Sequence, residues 1–563
     1  MKTRRHPSRS WPLRWETLIL TLFALTVHAP ARASEVTRGP YLSALSARQV
    51  HIRWFASDAS GEWSVRYSVD GAGAWATQDA GTAQPCSDPF CPGGGFRFDV
   101  ALTGLVPSTA YLYDVVHDEI SQTSDLASGG TPLMGSFRTP SANPLDPVVT
   151  SLVAFGDSGA GTSKQIDIAL RSLDRAPHAV LHTGDMFYGD EQTGQLEPYF
   201  YTPYRELMAR TCMFPCMGNE DYVHDFFIED HFTLTGVGPG SSARYYSFDF
   251  GPAHVTVLDT QALIVDYLQP ATTGATADPS QIQWMCNDLQ AAHDGGIPWQ
   301  IVVCHVPPFN IGAHAIDESG KLLRQLLAPY FTEFSVDLVL SGHDHNYQRS
   351  WPVIMNETKD CTVPFDPFVP LDCAGGDPAA CYYLEVVPDE EWTHLDGTVY
   401  VICGGGGQYG HPIPLPPIGV ATWDDTWDTA FNSVQYAGVP LGSYVLLELT
   451  PTTLDLRAFD DTDMPVDAIR VSKLRAVRGD VNGDGAVDIS DPIAMVNGLF
   501  TVGAHPVCEV IGDANGDAAF DVADVIHVLT WLFVPGAPSP VVPFPDCGPI
   551  PEMPGEHCLR QGC

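Results

Sequence analysis

VDLVLSGHDHNYQRS (336–350) places two histidines, His343 and His345, one residue apart, directly after an apolar run. The run reads as a buried strand. A strand ending in two imidazoles is either a polar loop with solvated rings or part of a metal site, and one pair does not decide. Other strand ends supply the answer. SLVAF (151–155) leads to Asp157 in GDSG, and AVLHT (179–183) leads to Asp185 and Tyr188 in GDMFY. MFPCM (213–217) leads to Asn219 in GNED, and IVVC (301–304) leads to His305. Five apolar runs thus each deliver Asp, Asn, Tyr or His at the carboxyl end, the edge where layered α/β folds gather ligands.

Two metal ions ~3.5–4 Å apart can clamp a phosphoryl group and share a bridging hydroxide. A carboxylate can bridge both ions, which makes Asp185 the natural centre. Oxygen and nitrogen donors without thiolate suit iron, zinc or manganese.

The set GDSG, GDMFY, GNED, VVCH and GHDHNYQR resembles the calcineurin-like metallophosphoesterases, and within them the purple acid phosphatases. The resemblance covers roughly residues 36–475. It implies a ferric site held by Asp157, Asp185, Tyr188 and His345. It also implies a divalent site for zinc, iron or manganese, held by Asp185, Asn219, His305 and His343. His314 matches a family histidine that contacts phosphate. Glu220 stands where the family usually has histidine. As a carboxyl beside the leaving oxygen it either donates a proton or repels the substrate. His224 and His231 read as surface or packing residues.

The surrounding chain reads as multidomain. Residues 34–140 alternate apolar and polar in short runs such as QVHIRWFAS, EWSVRYSVD and AYLYDVVHD, the pattern of a β-sandwich. LVPSTAYLY (105–113) resembles the tyrosine-corner region of a fibronectin type III domain. Residues 145–475 alternate strands with helical segments and are expected to form the central α/β four-layer sandwich. Its last strands, in GTVYVICGGG and SYVLLELTPTTLDLRAF, are expected to be antiparallel.

Residues 476–540 hold a repeat: RGDVNGDGAVDISDPIAMVNGLF returns 33 residues later as IGDANGDAAFDVADVIHVLTWLF. Asp480, Asn482, Asp484, Asp488 and Asp491 take positions 1, 3, 5, 9 and 12 of a calcium loop. Asp513, Asn515, Asp517, Asp521 and Asp524 repeat them, with Ala518 at the turn position where the first copy has Gly485. The duplicated loop and helix resemble a small α-helical dockerin type I domain, which implies bound calcium and a cohesin-like protein partner. A Pro/Cys-rich tail (541–563) follows.

Net charge is −40 over 563 residues, and the first 33 hold six Lys and Arg against one acid. The remainder is therefore still more acidic, which argues against nucleic acid and anionic membranes as partners. Residues 1–33 read as a signal peptide: a basic segment, the apolar run LILTLFALTV and Ala31-Arg32-Ala33. That run is shorter than the ~20 residues of a membrane span. The expected location is exported: extracellular, periplasmic or cell-surface. Fourteen cysteines fit an oxidising compartment, with Cys86/Cys91, Cys212/Cys216 and Cys558/Cys563 as close pairs, Cys361, Cys373 and Cys381 clustered, and Cys304 a buried thiol.

The expected activity is hydrolysis of phosphate-ester small molecules, specifically monoesters, by a metal-bound hydroxide. Phosphodiester or nucleotide pyrophosphate hydrolysis on the same metals is the alternative within enzymes. A non-catalytic binding protein anchored through its dockerin-like end is the rival from another class.

Overall fold

The computed structural model describes residues 36–86, 94–123, 134–189, 195–224, 228–234, 244–268, 279–315, 317–356, 361, 382–384, 391–393, 397–410, 431–432, 442–473, 475–482, 486–501, 509–517, 519–541, 544 and 548–549. The expected export segment, Asp484, Ala518 and most of the tail lie outside the described residues. Among the described residues no helix is long and apolar enough to cross a membrane.

The N-terminal region is built of short strands. They are β1 (Val36–Ser43), β2 (Gln49–Ala56), β3 (Trp63–Val69), β4 (Ala76–Asp79), β5 (Gln84–Cys86), β6 (Gly95–Thr103), β7 (Ala110–His117), β8 (Ile120–Ser121) and β9 (Gly135–Arg138). One sheet has the order β1-β2-β6-β5, the other β4-β3-β7-β8 with β9 also on β7. Alternation sets the buried face: in β6, Phe98, Val100 and Leu102 are buried while Asp99, Ala101 and Thr103 are exposed. Trp54 stacks on Phe98 at 4.8 Å between centroids, and Trp63 lies 5.1 Å from the same ring. The Val106 amide donates to the Tyr111 hydroxyl at 2.9 Å. This region is fixed to the next one by two phenols. Tyr41 donates to the His231 carbonyl at 2.7 Å and Tyr113 to the Ala209 carbonyl at 2.9 Å. His231 is therefore a buried joint.

The central region has β10 (Thr150–Phe155), β11 (Ala179–His182), β12 (Cys212–Pro215), β13 (Tyr246–Phe250), β14 (Ala253–Leu258), β15 (Trp299–Cys304), β16 (Leu338–Ser341) and β17 (Tyr347–Ser350). It continues with β18 (Val353–Met355), β19 (Tyr382–Leu384), β20 (Glu391–Thr393), β21 (Val399–Cys403), β22 (Phe431–Asn432), β23 (Ser443–Leu449), β24 (Thr453–Asp460) and β25 (Pro465–Ser472). Two seven-stranded sheets result, β12-β11-β10-β23-β24-β25-β20 and β13-β14-β15-β16-β21-β17-β22. Apolar residues on both faces of a strand explain the stacking. In β15, Ile301 and Val303 join the core shared by the two sheets. Val302 and Cys304 join the core under the helices Ser280–Asp294 and Glu318–Glu333. β10, β11 and β12 are mutually parallel, as are β14, β15, β16 and β21. Their carboxyl ends therefore share one edge in each sheet.

Two expectations are corrected. β23 and β24 are antiparallel, but β21 lies parallel to β16 and antiparallel to β17. The chain reverses through the histidine loop between β16 and β17, so a strand between them cannot oppose both. Cys212 and Cys216 are free buried thiols; four residues apart, at the ends of an extended run, their sulfurs cannot meet. Cys361 instead bonds Cys286, 75 residues earlier, on the helix Ser280–Asp294.

At the C-terminus the helices Ser490–Phe500 and Val522–Phe533 share a small core of Val481, Met495, Ile511, Ala514, Val525 and Val528. The repeat is structural as well as sequential. Asp491 accepts from the amides of Asn482 and Asp488, and Asp524 from those of Asn515 and Asp521, the equivalent positions.

One ion network, centred on the buried His254, joins β13, β14 and a covering helix. His254 meets Asp249 through Nδ1 at 2.7 Å and Asp288 through Nε2 at 3.0 Å. Burial pushes its pKa down, but the bonds to the two carboxylates outweigh it and raise the pKa to about 9. A raised folded pKa gives stability fully present below the unfolded value and lost as pH rises through 9. The His254→Gln variant should therefore lose ~2 kcal/mol in denaturant unfolding at pH 6 and much less at pH 10. Equal losses at both pH values would show that the charge contributes nothing.

Candidate metal centre

Three of the seven sequence-predicted residues leave their strands in a turn that the backbone does not adopt freely. Asp157, Asp185 and His343 have φ of 57°, 51° and 70°, in the left-handed region. Such strain persists where the surroundings over-determine it. Here they do: the Asp157 amide donates to the Gly184 carbonyl at 2.9 Å and the Ser158 amide to that of Asp185 at 3.0 Å. The His343 amide donates to both Asp157 carboxylate oxygens at 3.0 Å. Gly218 is required where the third loop crosses, since a Cβ there would sit 2.1 Å from Asp185 Oδ1.

The seven residues form two groups around one carboxylate. In the first, the Tyr188 hydroxyl lies 2.8 Å from Asp185 Oδ2, 3.1 Å from His345 Nε2 and 3.4 Å from Asp157 Oδ1. In the second, Asn219 Oδ1 lies 3.0 Å from His305 Nε2 and 2.9 Å from His343 Nδ1. Asp185 Oδ1 faces that second group, 3.4 Å from His305 Nε2. Asp185 thus turns one oxygen to each group. Two imidazoles have their other nitrogen tied to backbone: His305 Nδ1 to the Thr183 carbonyl at 2.9 Å, His345 Nδ1 to that of Tyr409 at 2.7 Å. A ring donating from Nδ1 keeps Nε2 as a lone pair aimed into the site.

Electrostatics point the same way. Burial and then the Asp185 charge, among other effects, push the Asp157 carboxyl well above its usual range, although His305 opposes them. Burial also pushes Asp185 up, but the cation on His305 overrides it and holds Asp185 at about 2. Reciprocally, burial lowers His305 while Asp185 raises it, to about 10. In the absence of other cations a proton on His305 is the only nearby positive charge among the major influences on this pair. Atoms of Asp157, Asp185 and His305 lie within 4.8 Å of one another. Crowded buried carboxylates with convergent nitrogen lone pairs fit divalent or trivalent cations better than a proton.

The two residues expected at the substrate lie at the rim. His314 packs its ring on His343, 4.1 Å between centroids, and its Nδ1 meets Asp317 Oδ2 at 2.8 Å. Glu220 follows Asn219 on the helix Asn219–Val223: its amide donates to Asp185 Oδ1 at 2.8 Å and its Oε1 accepts from Asn219 Nδ2 at 3.0 Å. His224, read from sequence as a surface or packing residue, brings Nε2 to 3.3 Å from Glu220 Oε2.

Sequence reasoning missed Asp221. It is fully buried and accepts from the amides of Met186, Phe187 and Gly218 at 2.8, 3.2 and 2.8 Å. It fastens the GNED loop to the GDMFY loop. Asp221 ends the GNED motif, but nothing in the sequence set its carboxylate apart from that of Glu220 beside it.

Residues 150–347 match the model of the calcineurin-like phosphoesterase family. Acid phosphatase type 7 of Mus musculus is 29% identical over 218 residues, covering 36% of this chain and 48% of its own length. Purple acid phosphatase 1 of Ipomoea batatas is 31% identical over 140 residues, 24% of this chain and 26% of its own. The chain spans about half the length of the first curated relatives it matches. The fold is similar to that of the purple acid phosphatase PPD1 from yellow lupin (Lupinus luteus) seeds, with a TM-score of 0.55 at 16% identity over 77% of this chain and 74% of that one. Residues 150–347 are thus similar to a phosphoesterase domain of the calcineurin-like type.

Asp221→Ala would leave three buried amides without an acceptor, at ~1–3 kcal/mol each, against relief of one repulsion with Asp185. The variant should lower the thermal midpoint and fail to retain metal after gel filtration, although Asp221 lies outside the donor set. Full metal retention would show that the clamp does not hold the site.

Proposed function

We propose that this chain is an exported, dinuclear metal-dependent phosphatase acting on small phosphate monoesters. The observation that carries the reading is the split Asp185 carboxylate: one oxygen meets the Tyr188 hydroxyl, on which Asp157 and His345 also converge, and the other faces His305, which with His343 converges on Asn219 Oδ1. The first group suits ferric iron, with Tyr188 as phenolate; the second suits zinc, iron or manganese. Bound there, the two cations would neutralise phosphoryl oxygens and supply a nucleophilic water at mild pH.

The chain's own residues supply the rest. His314, held by Asp317 through Nδ1 and packed on His343, would offer its other nitrogen to the phosphate. Glu220 is held beside Asn219, on the side where the leaving oxygen departs, and is the candidate proton donor to it. The carbonyls that fix His305 and His345 keep both rings in one tautomer through the cycle.

The experiment is a panel of p-nitrophenyl phosphate, bis-p-nitrophenyl phosphate, ATP and an alkyl phosphate on iron-loaded protein. Monoester turnover should dominate, the protein should be coloured, and Tyr188→Phe should abolish the visible charge-transfer band. Glu220→Gln should slow alkyl phosphate far more than p-nitrophenyl phosphate, whose leaving group needs little protonation. An active but iron-free and colourless wild type would remove the purple-type assignment. Dominant diester or ATP turnover would move the function to the neighbouring reaction class.

The flanking regions complete the reading. The antiparallel sandwich, with its Val106–Tyr111 bond, supports a fibronectin type III-like module. The duplicated Asp491 and Asp524 networks support a dockerin-like pair of calcium loops that docks onto a cohesin-like partner. The basic-apolar start of the sequence supports export. Calcium should protect residues 479–533 from proteolysis and raise the helicity of that segment in the full chain. Identical digestion with calcium and with chelator would remove the calcium assignment.

A further inference from the structure

Residues 343–349 have a second side. From His343 to Arg349 the odd positions bond toward the metal pocket and the opposite sheet. His343 reaches Asn219 and His345 reaches Tyr188, while Tyr347 and Arg349 both bond Asp467 of β25. The even positions face elsewhere. Asp344 Oδ1 accepts from the Ala313 amide at 3.1 Å. Gln348 Oε1 accepts from the Ile311 amide at 3.0 Å, and its Nε2 donates to Asn310 Oδ1 at 3.1 Å and Asn346 Oδ1 at 2.9 Å. Asp344 and Gln348 are fully buried. The partners just named belong to the loop 310–314, which ends in His314, or to the motif itself.

The loop also packs Ile311 on the core under the helices and ties His314 to Asp317 and His343. It is irregular backbone after β15, with a turn in which the Ala315 amide donates to the Gly312 carbonyl at 3.2 Å. Gly312 itself presses on the even-numbered side chains, since a Cβ there would lie 2.3 Å from Asp344 Oδ2 and 2.7 Å from Gln348 Nε2. The loop is therefore seated against Gln348 and Asp344 without room for another atom. Gln348 is neutral, so its hold on Ile311 and Asn310 does not vary with protonation.

We infer that Gln348 is a positioning residue for His314, setting the distance of that imidazole from the phosphate in the second half of the pocket. The inference rests on the phosphatase reading above for what His314 does, and on the bonds of Gln348 for where His314 sits. Geometry at a reacting centre is sensitive to displacements of ~1 Å, so losing the amide should be felt at the ligand although Gln348 does not touch it.

The test is a double-mutant cycle of Gln348→Ala and His314→Ala in the full metal-loaded chain. Inorganic phosphate affinity, KM and kcat on p-nitrophenyl phosphate, metal content and amide exchange of 310–314 are measured. Gln348→Ala should keep both metals, weaken phosphate binding and raise KM by about tenfold, and change kcat by less than about threefold. In the His314→Ala background the same substitution should change phosphate affinity by less than about twofold. Exchange of the Ile311 and Ala313 amides should quicken in Gln348→Ala. Equal losses in the two backgrounds, loss of metal, or unchanged exchange would overturn the inference. A wild type that neither binds phosphate nor hydrolyses the monoester would overturn the phosphatase reading instead, and amide exchange alone would then decide whether Gln348 seats the loop.

Discussion

The structure depends on the burial of two carboxylates against each other. Asp157 and Asp185 are both out of water, and each raises the cost of ionising the other. A protein core tolerates this only with a compensating positive charge and many hydrogen-bond donors. The donors come from backbone: His343 to Asp157, and Glu220 to Asp185. Asp221, a third buried acid, spends its lone pairs on three more amides and so knits the loops together. The edge of the two sheets is thus an electrostatic structure first, and the packing around it has to hold the strained turns in place.

That packing is supplied by strands apolar on both faces. β10, β15 and β16 have no polar side to show to solvent, so each must sit between layers. Parallel neighbours bring their carboxyl ends to one edge, and the two sheets bring two such edges together. The N-terminal β-rich region is tied to this one from outside through Tyr41 and Tyr113, which donate to the backbone carbonyls of His231 and Ala209.

Much of this was legible in the sequence because it is local. The apolar runs, the polar residue after each, and the 33-residue repeat are all patterns within a short window. The gathering of Asp157, Asp185, Tyr188, Asn219, His305, His343 and His345 follows from where those runs end. What was not legible depends on distant partners. The Cys286–Cys361 bond joins residues 75 apart, and the direction of β21 depends on which neighbours it finds. Asp221 and Gln348 look like ordinary polar residues until the amides they accept from are known. His224 was read as surface because nothing in its immediate sequence announces that a helical turn brings it to Glu220.

The two-sided use of residues 343–349 limits how such a chain can vary over evolutionary time. Substitution can be graded, since one side chain may be exchanged for another that fills the same role. Insertion or deletion cannot. Removing a single residue between His343 and Gln348 would put the residues on one side of the gap out of step with those on the other, so that imidazoles and amide could not all reach their partners. The spacing of this segment is therefore more constrained than its composition, and related chains should differ in its letters well before they differ in its length.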